Sequence, residues 1–520
     1  MSSGKLTTER KSYVGNGVKR LTFAGIAVIV NVLWLYTLLR FAGAYITIFD
    51  NAIRLIALLL VIQIYGKQMN AALKMPWMIL IGTMPLLGTM LYFTVGMSGS
   101  TKTMRKRFEL IDEAVFKLIP QDQEVLSRLK AQDQGAFSQA NYLSSYVKFP
   151  VYNNTKIQYY AKALDGLEAQ LEDMEKAKKF IFMEYHAIEI AQAFERIEEV
   201  LERKAREGVE IRLFYDDVGS IGFINKDFVN RMEDKGIQCR CFNPVFPFVN
   251  VFLNNRDHRK ITVIDGTVGF TGGYNLADEY FGYKHPYGIW KDSGVRIEGE
   301  AVHSLTAVFL EMWNAIHASD NDDTDVTKYF PKCTAGDYHG FIQPYADSPL
   351  DNEHVGENVY LNLIGASSDY IYFMTPYLII DDEMINEITL AAKRGVDVRI
   401  ITPGIPDKKM VNRMTKSYYN SLCESGVRIY EYTPGFCHAK MCICDDKMAT
   451  CGTINLDYRS FYHHFENGIF MYDTEILKDI KTDFEETFKE CNEVTLEYSG
   501  AQKRRTMLWE CIMRLVAPLL

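Results

Sequence analysis

Cysteine is scarce in this chain, and so is basic charge over most of its length. Ten cysteines among 520 residues are too few for a disulfide scaffold and fit buried or strand cysteines in a reducing setting. Residues 1–107 hold thirteen Lys/Arg and two acids, +11, so the other 413 residues sum to −20 within the total of −9. An acidic bulk argues against nucleic acid as the main partner, because binding a phosphate backbone calls for a basic surface. Hydrophobic residues at 48% and charged ones at 24% exclude a disordered or collagen-like chain. The length suggests about three domains.

Three apolar stretches lie within the first hundred residues, which read as a membrane anchor. Residues 21–39 form a near-continuous apolar run, flanked by Arg10, Lys11, Lys19, Arg20 and Arg40; about twenty helical residues cross a ~30 Å hydrocarbon core. A cleaved signal peptide is the competing reading, with Ala42-Gly43-Ala44 as its cleavage site, but the run is too long and further apolar segments follow. Residues 46–65 are a second candidate span, weakened by Asp50 and Arg54. Residues 76–96 are a third, interrupted by Pro85 and Gly88, for which a re-entrant or interfacial piece is the alternative. The distribution of Lys and Arg puts the N-terminus in the cytoplasm. Three full spans would place the rest outside, whereas Lys102, Arg105, Lys106 and Arg107 favour the inside. Two spans and the unpaired cysteines make a cytoplasmic catalytic region the expectation. Residues 101–149 read as a helical connector.

From about residue 150 short apolar runs alternate with amphipathic helical stretches. Residues 180–183 and 209–215 read as buried strands around a helix over 191–207, which predicts an α/β domain with a mixed sheet. The pattern then recurs. Tyr370-Ile371-Tyr372-Phe373 echoes the first strand, Gly395-Val396-Asp397-Val398 matches Gly208-Val209-Glu210-Ile211, and Gly426-Val427 matches Gly236-Ile237. A period of about 190 residues is far above solenoid lengths and means a duplicated domain, with copies over 150–340 and 341–500 packed face to face.

Both copies read H-x-K-x4-D-x6-G-[GT]-x-N. The first is His258, Lys260, Asp265, Gly272-Gly273-Tyr274-Asn275; the second is His438, Lys440, Asp445, Gly452-Thr453-Ile454-Asn455. In a strand, residues i and i+2 project together, so each histidine is expected beside its lysine in a phosphate-binding corner. Asn275 and Asn455 can add amide donors to that corner. Cleaving a phosphodiester needs a nucleophile on phosphorus and an acid for the leaving alkoxide, and the two imidazoles can supply both, one neutral and one protonated at rest. Asp265 and Asp445 belong to the motif, yet by parity they fall on the opposite face or in the following turn and read as structural. Asp292 and Glu466 are candidates to hold the second nitrogen of each imidazole, with a solvated carboxylate as the alternative.

The paired motif resembles the phospholipase D superfamily and, within it, the bacterial cardiolipin synthases. The resemblance runs through Trp77, Pro85-Leu86-Leu87-Gly88, Asn255-Arg256-Asp257-His258-Arg259-Lys260, Gly452-Thr453-Ile454-Asn455-Leu456-Asp457 and Pro518-Leu519-Leu520. It implies tandem phospholipase D-like domains behind N-terminal transmembrane helices in a multi-pass protein of the cell membrane. The implied catalytic set is His258, Lys260, Asp265, His438, Lys440 and Asp445, with an acidic residue beyond each motif histidine as its orienter. The implied reaction joins two phosphatidylglycerols into cardiolipin and glycerol, with membrane lipids as the partners; no metal or cofactor is expected, because Lys260, Lys440, Asn275 and Asn455 already supply phosphate-directed donors. His258 is expected to attack phosphorus and His438 to act as acid, because Arg256 and Arg259 make the first corner more cationic and because the superfamily uses the first-copy histidine. Departures are the extra N-terminal span and Thr453 where the first copy has Gly273, which marks unequal halves. The alternatives are a hydrolytic phospholipase D, another headgroup-exchanging enzyme, a nuclease (disfavoured by the −20), and a non-catalytic scaffold, which would have no need of two intact H-x-K pairs.

Other features have bland and sharp readings. Cys437, Cys442 and Cys444 near His438 could bind zinc, but strand alternation explains them equally. His463-His464 reads as surface or as a neighbour of the catalytic residues, with a ligand role as the sharper alternative. Residues 246–253 are a core strand or a loop dipping towards acyl chains. Residues 501–520 place Met507, Leu508, Cys511, Ile512, Leu515, Val516 and Leu519 on one helical face among basic residues, an amphipathic interfacial helix or one that simply packs on the protein.

Overall fold

The computed structural model describes residues 29, 33, 46–93, 99–225, 227–244, 255–316, 323, 325–333, 336, 338–351, 353–500 and 508–519. The first candidate span therefore lies outside the described residues apart from Ile29 and Leu33, and the run 246–253 lies wholly outside them.

The second candidate span is helix α1, Ile46–Tyr65, with Leu55, Ile56, Leu58, Leu59 and Ile62 exposed and Arg54 paired to Asp50 at 2.8 Å. The third apolar stretch breaks in two: α2, Ala71–Thr83, and α3, Pro85–Leu91, meet at Met84 (φ −130°, ψ 71°). Pro85 cannot continue α2 but suits the first turn of α3. A Cβ on Gly88 would lie 2.7 Å from the Ile81 Cα, so glycine lets the two pieces pack closely. Among the described residues no helix is long and apolar enough to cross a membrane. Helix α4, Gly99–Val115, leads into the α/β body.

The body is two mixed sheets of matching topology. The first takes β1 (Thr155–Tyr160), β2 (Phe180–Tyr185), β3 (Glu210–Asp216), β4 (Gln238–Phe242), β5 (Lys260–Ile264), β6 (Val268–Gly272) and β7 (Gly294–Gly299) in the order β1-β7-β6-β5-β2-β3-β4. The second takes β8 (Phe341–Asp347), β9 (Tyr370–Met374), β10 (Asp397–Pro403), β11 (Arg428–Tyr432), β12 (Met441–Cys444), β13 (Met448–Gly452), β14 (His464–Tyr472) and β15 (Cys491–Glu493), with path β8-β14-β13-β12-β9-β10-β11-β15. In each, three parallel strands adjoin an antiparallel set. β2 and β9 are buried throughout, which is why they read as unbroken apolar runs. The repeated glycines share a reason: Gly208 and Gly395 (φ +86° and +98°) and Gly236 and Gly426 (φ +81° and +98°) turn left-handed where a helix hands over to a strand.

The copies are stitched together by exchanged short strands. Arg256–Asp257 runs parallel to His464–Phe465, and Gly435–Cys437 runs parallel to Ile289–Lys291. One apolar core, including Phe182 and Val295 from the first sheet and Phe373 and Ile469 from the second, continues through both. Helix α5, Leu508–Val516, packs against α2 and the helix Lys409–Cys423, and turns Leu508, Trp509, Cys511 and Ile512 outward.

Candidate active site

Each motif histidine sits in a break between strands, where the chain leaves an exchanged strand and enters a central one. His258 lies between Asp257 and β5, and His438 between Cys437 and β12. The strand-parity argument for H-x-K therefore does not describe the geometry. The partner domain sets each histidine instead: the His258 N–H donates to the Phe465 carbonyl at 2.9 Å and the His438 N–H to the Lys291 carbonyl at 2.7 Å.

The orienting carboxylates are crossed. His258 Nδ1 lies 2.9 Å from both oxygens of Glu466, and His438 Nδ1 lies 2.6 Å from Asp292 Oδ2. The acid beyond each histidine in sequence thus serves the histidine of the other copy. Both acids are buried, so each holds its Nδ1–H and leaves Nε2 for a substrate. Glu466 also accepts from Thr453 Oγ1 at 2.5 Å and Ser460 Oγ at 2.7 Å. The matching position to Thr453 is Gly273, where a Cβ would lie 2.1 Å from Asp292 Oδ1. The Gly/Thr departure is therefore a real difference between half-sites: a hydroxyl braces one acid, and the other acid occupies the space that a side chain would take.

Each lysine is turned to the backbone carbonyl of its own motif histidine. Lys260 Nζ donates to the His258 carbonyl at 2.5 Å, and Lys440 Nζ donates to the His438 carbonyl. Lys440 Nζ is also 2.8 Å from His438 Nδ1; with the Nδ1 proton turned to Asp292, that nitrogen has no lone pair to offer it. Burial pulls Lys260 down to about 7 and Lys440 down to about 8, and it pushes Asp292 up to about 6. Burial first, then the neighbouring lysines, hold both histidines well below the ordinary imidazole range. Both shifts run the same way, towards the neutral imidazole, and set the two histidines apart less than the expected pair of one neutral and one protonated ring.

Asp265 and Asp445 do not reach this site. Each sits in a left-handed turn (φ +52° and +54°) and caps the start of a strand. Asp265 accepts from the N–H groups of Lys178, Lys179 and Phe180 at 2.7–2.9 Å; Asp445 accepts from those of Ser368, Asp369 and Tyr370 at 2.7–2.9 Å. Their place in the motif is structural, as parity suggests, and grouping them with the catalytic residues is corrected. The cationic-corner argument also fails. Arg259 turns away towards Glu184 and Glu311, and Arg256 is spent on Asp216.

His258, His438, Asn275 and Asn455 share one cavity of about 450 Å³. Asn275 Nδ2 donates to the Tyr280 hydroxyl at 2.8 Å, while Asn455 Oδ1 is buried without a partner. Sequence reasoning marked His464 as a neighbour of the catalytic residues but missed the roles of His186, Trp290 and Arg459 in lining the cavity. The His186 ring lies 5.0 Å from that of His258, and its Nδ1 bonds the Asp257 carbonyl at 2.6 Å. His464 flanks His258 at 5.4 Å, as Trp290 flanks His438 at 5.5 Å. Aligning the copies on their acids would have found this pair, since each stands two residues before the carboxylate. Arg459 reaches the cavity and its side chain makes no hydrogen bond or ion pair with a described residue. Among the described residues, His258, His464 and Glu466 form the one group placed to hold a metal; Cys442 and Cys444 are buried in β12 instead.

Two imidazoles facing one cavity, each with Nδ1 held by a buried carboxylate, can divide the roles of nucleophile and acid–base group at a single phosphorus. A family model described as "Cardiolipin synthase, PLD-like domain" matches residues 171–313 and 360–488, one match in each copy. Cardiolipin synthase 2 of Bacillus cereus is 32% identical over 88% of this chain and 88% of its own, and cardiolipin synthase 1 of Staphylococcus aureus is 32% identical over 90% and 96%. A Streptococcus mutans protein described as uncharacterized is 42% identical over 88% and 99%. The crystal structure of Haemophilus influenzae phosphatidylserine synthase matches with a TM-score of 0.54 at 15% identity, covering 70% of this chain and 95% of its own, and so shares the fold. The chain belongs to the cardiolipin synthase family of phospholipase D-like enzymes.

Proposed function

We propose that this enzyme moves a phosphatidyl group from one phosphatidylglycerol to the hydroxyl of another, giving cardiolipin and glycerol. His258 Nε2 attacks phosphorus while His438 gives its proton to the departing glycerol oxygen, leaving the phosphatidyl group on His258. His438 then takes the proton of the incoming hydroxyl, whose oxygen displaces His258 from phosphorus. The protonated His438 that starts the cycle forms when the phosphodiester anion enters and offsets the lysine charges. The observation that carries this reading is the crossed pair, His258–Glu466 and His438–Asp292, opening on one cavity. The use of His258 as nucleophile follows the superfamily resemblance.

The reading also places the protein at the cell membrane as a multi-pass protein, with the catalytic body on the cytoplasmic side. Its support is the exposed apolar side of α1, the outward Leu508, Trp509 and Ile512 of α5, and ten cysteines without a disulfide. Ala517, just beyond α5, lines the catalytic cavity, so the outward apolar face adjoins its rim. Product analysis of the purified protein with phosphatidylglycerol alone is the test. Cardiolipin and glycerol are expected; phosphatidic acid as the main product would instead establish a hydrolase. Labelling Cys511 from either side of sealed vesicles reports the orientation.

A further inference from the structure

His464 is a cavity residue with both ring nitrogens unspent. It is 8% exposed and both ring nitrogens lack a hydrogen-bond partner. Its nearest acceptor, Glu466 Oε1, is 3.5 Å from Nδ1, beyond a good bond, and Glu466 already accepts from His258, Thr453 and Ser460. That filled carboxylate also weakens the case for a metal at His258, His464 and Glu466, since a cation would have to displace three donors. A buried polar ring with no partner calls for one from outside the chain.

The surroundings indicate which. His464 stands against the ring of His258 and lines the same cavity. The equivalent place beside His438 holds Trp290, in an aromatic box with Tyr280 and Phe436. The half-site around His258 is therefore the polar one. Lys260 and Lys440, the motif's phosphate-directed donors, are turned to backbone carbonyls and do not line the cavity. A phosphorus bonded to His258 Nε2 needs donors for its non-bridging oxygens on this side.

We infer that His464 is a further catalytic residue, whose ring N–H binds a non-bridging phosphoryl oxygen of the substrate and of the phosphatidyl-His258 intermediate. The inference rests on phosphoryl transfer at His258 and adds to it a third imidazole that neither attacks nor protonates. The His464 donor is worth most as charge gathers on the phosphoryl oxygens in the transition state.

The test is a rapid-quench measurement on the full chain, with phosphatidylglycerol labelled in its phosphate, for wild type and for His464→Phe, His464→Asn and His464→Gln. Phe keeps a ring and removes the donor; Asn and Gln keep a donor and lose the ring. Labelling of His258 should slow about tenfold to a hundredfold in His464→Phe, with KM little changed and most of the rate restored in Asn or Gln. Orthovanadate, bound as a phosphoryl mimic, should bind more weakly to His464→Phe by a similar factor. A wild-type rate in His464→Phe would overturn the inference, and so would equal losses in all three variants, which would mark mere ring packing. Vanadate binding that is weakened only in the Phe variant, with no label on any wild-type histidine, would keep the oxyanion site and sink the His258 intermediate.

Discussion

Glu466→Gln separates the crossed arrangement from a conventional one. The carboxylate accepts His258 Nδ1–H on both oxygens, together with the Thr453 and Ser460 hydroxyls. Glutamine offers one acceptor and one donor in its place. Thr453 has an alternative acceptor, the Asn467 carbonyl at 3.1 Å, so the stability loss should stay near the low end of the cost of an unmet buried group, about 1 kcal/mol. Catalysis should suffer far more. An amide N–H facing His258 forces the proton onto Nε2, the nitrogen that must attack, and the analogous Asp→Asn change in a serine protease triad costs about 10⁴ in kcat. With the amide oxygen facing His258 the tautomer survives without its stabilising charge, so we expect a fall of roughly a thousandfold, or about 4 kcal/mol of barrier. The assay is pre-steady-state labelling of the enzyme by phosphate-labelled phosphatidylglycerol bearing a good leaving group. Glu466→Gln should slow the appearance of label on His258. Asp292→Asn should leave labelling with such a donor near wild type and block its release to the acceptor, because only His438 has lost its anchor. The opposite pattern, with Asp292→Asn abolishing labelling and Glu466→Gln sparing it, would refute the crossed reading.

Three further outcomes follow from the site. With Asp292 pushed up to about 6 and Lys260 and Lys440 pulled down to about 7 and 8, kcat/KM should fall as pH drops through 6 and the carboxylate protonates, and fall again as pH rises through 7–8 and the ammonium groups are lost. A bound phosphodiester anion favours the ammonium, so the alkaline limb of kcat should lie above that of kcat/KM. Asp265→Ala should cost about 2 kcal/mol in chemical unfolding, since three N–H groups lose their acceptor and two of them can turn to water, with KM unchanged. Gly273→Thr should displace Asp292 and lower kcat at least as far as Asp292→Asn, whereas Thr453→Gly should be milder because Ser460 still braces Glu466; steady-state rates of the two variants check this.

The duplication and its chemistry were legible in the sequence because they are periodic. Two H-x-K-x4-D-x6-G spacings and two Gly-led strands survive in linear order, and the fold repeats β2–β3–β4 as β9–β10–β11 with the same parallel pairing. The left-handed turns at Asp265 and Asp445 were legible as far as parity goes, which excludes the cavity face without identifying the capping role. What the sequence hid is whatever depends on the partner copy. Nothing in the order of residues says that Arg256–Asp257 will pair with His464–Phe465 rather than with a strand of its own sheet. The crossing of Asp292 and Glu466 follows from that pairing and its counterpart, Gly435–Cys437 with Ile289–Lys291. Arg259 misled for a different reason: within its own copy its guanidinium turns to Glu184 and Glu311, far from it in the chain. The third apolar stretch was half legible, since Pro85 and Gly88 signalled the break that divides α2 from α3.

Crossing has a mechanical consequence. The residue just before each acid, Phe465 or Lys291, is the one whose carbonyl holds the backbone N–H of the opposite motif histidine. A single exchanged strand thus fixes both the position of a histidine and the anchor of its Nδ1, and the two exchanged strands are related by the repeat. Neither domain holds a complete half-site by itself, so separating the copies would remove both acids from their imidazoles together. Thr453 and Asn467 tie this interface further: Thr453 braces Glu466 within the second copy, and Asn467 Nδ2 reaches Thr271 of the first at 2.7 Å. The placement of the two imidazoles on one cavity is therefore set by the packing of the copies.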